Sequence, residues 1–143
     1  MKSTFFWRHL LAVLSLLLLV LAGGCEKRAA EVTEIKVSFE WNPKGMPLTA
    51  NPEIRMEGVP ATTHHFLVEL IDLDLKNFNH GGGTYPYTGT PVIPAGKLKG
   101  YYLGPHPPVG VVHQYRFTVK AMDVNERVIG VGRQTRAFPE TDQ

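Results

Sequence analysis

The chain has 143 residues, 15 of them Lys or Arg and 13 Asp or Glu, and a single cysteine at position 25. Taking away the first 24 residues leaves 119, enough for one modest domain, and removes Lys2 and Arg8, so that 13 cations face 13 anions and the net charge falls from +2 to zero. No Lys/Arg cluster with interleaved aromatics remains, which leaves nucleic-acid binding without electrostatic support, and one cysteine excludes an intramolecular disulfide.

The first 24 residues have the layout of a targeting segment. Lys2 and Arg8 make a positive start, and residues 10–22 form an apolar run that is short for a membrane span and ends in Gly23-Gly24. Leu21-Ala22-Gly23-Gly24-Cys25 resembles the bacterial lipoprotein lipobox, whose cysteine is lipidated and becomes the new N-terminus. The other reading is a plain secretory signal with a free thiol. The lipobox divides the chain into a signal peptide (1–24), a lipidated cysteine with a charged tether (25–34) and one domain (35–143). Several acyl chains on Cys25 would anchor that domain to a bacterial membrane. By resemblance to lipoprotein sorting signals, Glu26 after the cysteine implies the periplasmic side of an outer membrane; in a gram-positive cell the same anchor would hold the domain on the outer surface.

From residue 35 the pattern is that of strands. Ile35, Val37, Phe39 and Trp41 alternate with Lys36, Ser38 and Glu40, the period-2 signal of a strand with one buried face. Asn42-Pro43-Lys44-Gly45 predicts a turn, and Ile54 and Met56 predict a short strand over 53–57. Residues 64–72, HHFLVELID, are apolar on both faces and predict a central strand, in which Glu69 needs a partner if buried. Residues 76–90 are expected as a loop containing Gly81-Gly82-Gly83. Strands are expected around Val92-Ile93 and over 98–103. The longest strand runs from Val112, with His113, Tyr115, Phe117, Val119 and Ala121 on one face and Gln114, Arg116, Thr118 and Lys120 on the other. A turn at 124–127 leads to a last strand over 128–138. No stretch after the signal has the spacing of an amphipathic helix of ten residues, so the fold class is all-β, a mainly antiparallel sandwich.

Chemistry-bearing residues gather at strand ends. Asp72 and Asp74 close one core strand, His113 and Tyr115 open another, and His80 follows the aspartates. The stiff loop Gly104-Pro105-His106-Pro107-Pro108-Val109-Gly110 precedes His113. Two carboxylates near two histidines suit a metal, acid/base chemistry or a hydrogen-bonded anion pocket. A tight turn with a satisfied histidine, and a solvated Asp72–Asp74 turn, are the plainer readings of the same residues. No HExxH occurs, His64 and His65 are expected on opposite strand faces, and no nucleophile elbow or GK[ST] phosphate loop is present. No metal, cofactor or enzymatic activity is therefore expected.

The ordered set of motifs resembles the phosphatidylethanolamine-binding protein family, also called Raf-kinase-inhibitor-like proteins, in its bacterial branch. The set runs through Ser38-Phe39, Gly45-Met46-Pro47-Leu48-Thr49, Asn51-Pro52-Glu53-Ile54, Gly58-Val59-Pro60, His65-Phe66 and Asp72-Leu73-Asp74. It closes with the 104–110 loop and His113-Gln114-Tyr115-Arg116-Phe117. Leu73 stands where the family has proline and Gln114 where it has arginine. The resemblance implies a β-sandwich whose pocket takes a phosphate-like anion or phospholipid headgroup, and by position it assigns that pocket to Asp72, Asp74, His80, Gly104, Pro107, Pro108, His113 and Tyr115. It also allows a protein partner whose activity the domain modulates. A different class stays open: Tyr115 to Asp123, YRFTVKAMD, also suits an immunoglobulin- or fibronectin-type strand, which would make the chain a structural or adhesion lipoprotein with no small-ligand pocket.

Overall fold

The computed structural model describes residues 31–44 and 46–139; the signal segment, Cys25 and most of the tether lie outside them. The described residues form eight strands and no helix: β1 (Thr33–Glu34), β2 (Lys36–Phe39), β3 (Ile54–Glu57), β4 (His65–Asp72), β5 (Phe78–Pro86), β6 (Val92–Ile93), β7 (His113–Met122) and β8 (Val128–Phe138). Two sheets result, in the orders β1-β8-β7-β4-β5 and β2-β3-β6. Strand β1 lies parallel to β8, and the other pairings are antiparallel. Thr33 and Glu34, expected in the tether, thus belong to the domain.

Alternation decides which face each strand buries. Val37 and Phe39 of β2, Ile54 and Met56 of β3, Phe66, Val68 and Leu70 of β4, and Tyr115, Phe117, Val119 and Ala121 of β7 all point between the sheets and form one core. Burying each such large apolar side chain contributes about 1.5–3 kcal/mol. Phe39 meets Phe117 edge to face at 4.9 Å, joining the small sheet to the large one. Strand β7 takes the middle of the large sheet and β4 lies beside it, paired on both edges. Half-buried Glu69 finds its partner in Lys120 at 3.1 Å.

Residues 76–90 depart from the expected loop. Residues 78–86 are strand β5, with a free edge taken up by residues 99–103: Gly82 N–H donates to Tyr101 O at 2.6 Å, Thr84 and Lys99 exchange bonds at 2.9 Å, and Leu103 N–H donates to His80 O at 2.9 Å. The glycines that read as loop residues are there because the strand is crowded. A Cβ on Gly82 would run into the Val68 carbonyl, and one on Gly83 into that of Lys99. The strand expected over 98–103 is accordingly an irregular edge segment that touches β5 through isolated bridges.

His64 and His65 also depart from expectation. His64 precedes β4, so it escapes the strand's alternation, and the two Nδ1 atoms lie 3.2 Å apart. His65 Nε2 is 3.5 Å from the Glu126 carboxylate.

Candidate functional site

One end of the large sheet collects the end of β4, the start of β5 and the start of β7, with Asp72 paired in register to both Tyr115 and Phe78. Asp72 is 2% exposed. Its Oδ1 accepts the N–H groups of Asp74 (2.9 Å) and Leu75 (3.1 Å), which turns the chain out of β4. Its Oδ2 accepts from His113 Nδ1 at 2.7 Å. An ionised carboxylate can only accept, so Nδ1 carries the proton and Nε2 is left without a partner among the described residues. Burial pushes the Asp72 pKa up, but the bonds from His113 and the Asp74 amide, with help from Tyr115, outweigh it and hold the carboxyl below its usual range.

The Tyr115 hydroxyl sits beside that carboxylate. Burial first, and then the Asp72 charge, raise its pKa well above 10, so it stays a phenol and a donor. Its ring is almost wholly buried and lies 5.3 Å from the His80 ring and 6.2 Å from that of His113.

His80 reaches the cluster through an irregularity. Between Glu69 and Ile71 the β4–β5 register slips, Glu69 facing Gly82 and Ile71 facing Asn79, so β5 carries an extra residue at His80-Gly81. Gly81 takes φ +82°, a conformation costly for any side chain, and the bulge turns the His80 ring inward to 3% exposure. His80 Nδ1 donates to Leu103 O at 3.1 Å, and the Gly104 backbone also lies within hydrogen-bonding reach of the ring. Burial lowers its pKa, which favours the neutral ring.

The structure therefore brings together Asp72, His80, His113 and Tyr115. Asp74 is placed differently from the expectation that both aspartates turn into one pocket. It is exposed, and its Oδ2 accepts the Gln114 N–H at 2.6 Å, extending the β4–β7 ladder beside the Leu73 N–H···O=C Gln114 bond of 2.8 Å. Gly104 is buried against Leu48, its N–H donating to Leu48 O at 2.7 Å. Pro107 and Pro108 continue the loop outward to an exposed tip. From that loop the side chain that meets the cluster is His106, 5.4 Å from the His80 ring, with its Nδ1 donating to Gly104 O at 3.1 Å. Sequence reasoning passed over His106 although it stands inside the loop singled out; its place in the middle of Pro-His-Pro, where side-chain direction is unreadable, hid it. Among the described residues no group of three or more His, Cys, Asp or Glu is close enough to hold a metal ion.

No protein-family model matches the sequence, and no curated protein matches it. Solved structures do. The chain superposes on Escherichia coli YbcL, described as a new member of the mammalian PEBP family, with a TM-score of 0.54 and 18% identity over 76% of this chain and 100% of that one. It superposes on CT736 of Chlamydia trachomatis, described as a putative phosphatidylethanolamine-binding protein homolog, with a TM-score of 0.57 and 14% identity over 77% of this chain and 99% of that one. With its two sheets, all-β content and these neighbours, the chain has the phosphatidylethanolamine-binding protein fold.

Proposed function

We propose that the chain is a binding protein, not an enzyme, whose Asp72–His113 end takes a phosphate-like anion such as a phosphomonoester or phospholipid headgroup. The observation that carries this reading is the 2.7 Å Asp72–His113 bond with His113 Nε2 left over. Asp72 is bonded by two backbone amides and His113, which holds the His113 ring in place with Nε2 available to share a hydrogen bond with a phosphate oxygen. His80, buried beside Tyr115, adds a second imidazole to the wall of that end. No side chain in the cluster is an activated nucleophile, which supports binding over turnover.

The lipobox reading adds a membrane anchor. Thr33 pairs with Gly130, and Gly130 with Ala121, at the end of β7 remote from His113. Eight residues of strand separate the two ends, about 26 Å at 3.3 Å per residue. A chain anchored at Cys25 would thus enter the domain at the end of the sheet opposite the site.

The test is an NMR titration of the full chain with phosphate and with phosphoethanolamine. Saturable shifts at His113, Tyr115 and His80 are expected, weakened at least tenfold in His113→Ala. Equal affinity in that variant would remove the assignment.

A further inference from the structure

Behind the 104–106 segment lies a cleft that plays no part in the site described. His106 faces the His80 ring, whereas Gly104 and Pro105 line this second cavity, about 610 Å³ in volume, together with Trp41, Met46, Leu48 and Phe138. That is the size of a small-molecule site. Its wall is fixed: Trp41 Nε1 donates to Ala137 O at 2.7 Å, and the Trp41 and Phe138 rings meet edge to face at 5.6 Å.

The floor of the cleft is Tyr102. Its ring stacks on Phe117 at 6.2 Å and the residue is 5% exposed, yet its hydroxyl has no hydrogen-bond partner among the described residues. The hydroxyl lies in the angle between Leu48 and Gly104, both cleft residues, close to where a Cβ on Gly104 would stand. The hydroxyl itself is not sealed from solvent, so it opens into the cleft as an uncommitted donor for whatever enters. Burial alone raises its pKa well above 10, so it remains a donor. Lys44 lines the same cleft, exposed and with no carboxylate partner among the described residues, and the Asn42 side-chain N–H is committed to Ala50 O at 2.7 Å. The other lining side chains are apolar.

We propose that this cleft is a second binding site, for a small, mainly apolar carboxylate whose hydrocarbon body lies against Trp41, Pro105 and Phe138 and whose oxygen accepts from the Tyr102 hydroxyl. Lys44 supplies the complementary charge at the mouth. The site is independent of the Asp72–His113 cluster, because the 104–106 segment presents different residues to each.

The experiment uses the full chain with Trp7→Phe, which leaves Trp41 as the sole tryptophan, and follows its emission during titration with phenylacetate. A saturable change is expected, and Tyr102→Phe, which keeps the ring on Phe117, weakens it about fivefold, the loss of one hydrogen bond. Met46→Glu, at a position 43% exposed where folding is unaffected, sets a like charge in the wall and abolishes it. Saturating phosphate leaves the affinity for phenylacetate unchanged. The absence of a saturable change, equal affinity in Tyr102→Phe, or displacement of phenylacetate by phosphate would each overturn the proposal.

Discussion

Strand β7 has an aspartate at each end, and the two do different things with the same local chemistry. Asp72 lies across from Tyr115 at one end, and Asp123 follows Met122 at the other. Each is buried, and each uses Oδ1 to accept two backbone N–H groups ahead of it, Asp74 and Leu75 in one case, Asn125 and Arg127 in the other. They part at Oδ2. Asp123 meets the Arg127 guanidinium through Nε (2.8 Å) and Nη2 (2.7 Å), a bidentate pair with a permanent cation that rests in solvent. Asp72 meets His113 through one ring nitrogen, and the other stays unused in a cluster with Tyr115 and His80. A carboxylate turn at a strand end is thus a structural device by itself. It becomes a candidate site when its partner is an imidazole bonded through one nitrogen and packed among other polar groups.

The comparison is broken most severely by Asp72→Ala. The substitution leaves two amides and the His113 Nδ1–H unpartnered in a buried place, and we expect a loss of about 3 kcal/mol in urea unfolding. Phosphate binding should vanish with it. Asp123→Ala should lower the unfolding midpoint by less, because Arg127 is largely exposed and water takes over its bonds, and should leave phosphate titration unchanged. Equal losses from the two variants would mean that the His113 pair is no more than a second turn.

Sequence made one half of this contrast visible. Alternation over 113–121 and 35–39 is a property of the backbone period, so the strands that build the core, their inward residues and the all-β class were readable from it. Asp72, His113 and Tyr115 were legible for the same reason: they stand at the ends of strands whose direction was known. His80 was readable as a polar residue following the aspartates, but its direction was not. What aims its ring is a one-residue bulge, and Gly81-Gly82-Gly83 allowed either flexibility or a close backbone approach; the approach of Val68 and Lys99 decides for the second. Asp74 failed for a related reason. Its i, i+2 spacing from Asp72 assumes that the strand continues, but the Asp72 turn ends β4 at that residue and sends Asp74 back to the Gln114 amide. The Tyr102 cleft left no mark in the sequence, since it forms between segments separated by turns that have no period.

Acid should separate the two ends by pH. His80 has a folded pKa below its ordinary 6.5, chiefly through burial, so as pH falls the unfolded state takes up a proton first. The stability it contributes is complete above 6.5 and is lost on acidification below that value. Asp123 is held down to about 2 by the Arg127 amide and guanidinium, so its contribution is complete above 3.8 and is lost between there and about 2. Urea unfolding measured from pH 8 to pH 2 should therefore show an upper loss that His80→Gln removes and a lower loss that Asp123→Asn removes. An upper limb that survives in His80→Gln would show that the ring is not held neutral by its bulge.

The smallest effect, and the finest test of the contrast, is Arg127→Lys. The causes that depress Asp123 begin with the backbone N–H of Arg127 and only then include its guanidinium. Lysine keeps that N–H and the charge but loses the planar fork, and the side chain it replaces is 72% exposed, where an ion pair adds little. The Asp123 carboxyl, followed by NMR during acid titration, should therefore move up only part of the way and remain below 3.8, with the thermal midpoint scarcely changed. A rise to the ordinary aspartate value would mean that the fork, not the turn, holds this carboxylate ionised. The two ends of β7 would then differ only in the side chain that meets Oδ2, and His113 would be set apart by its unbonded Nε2 alone.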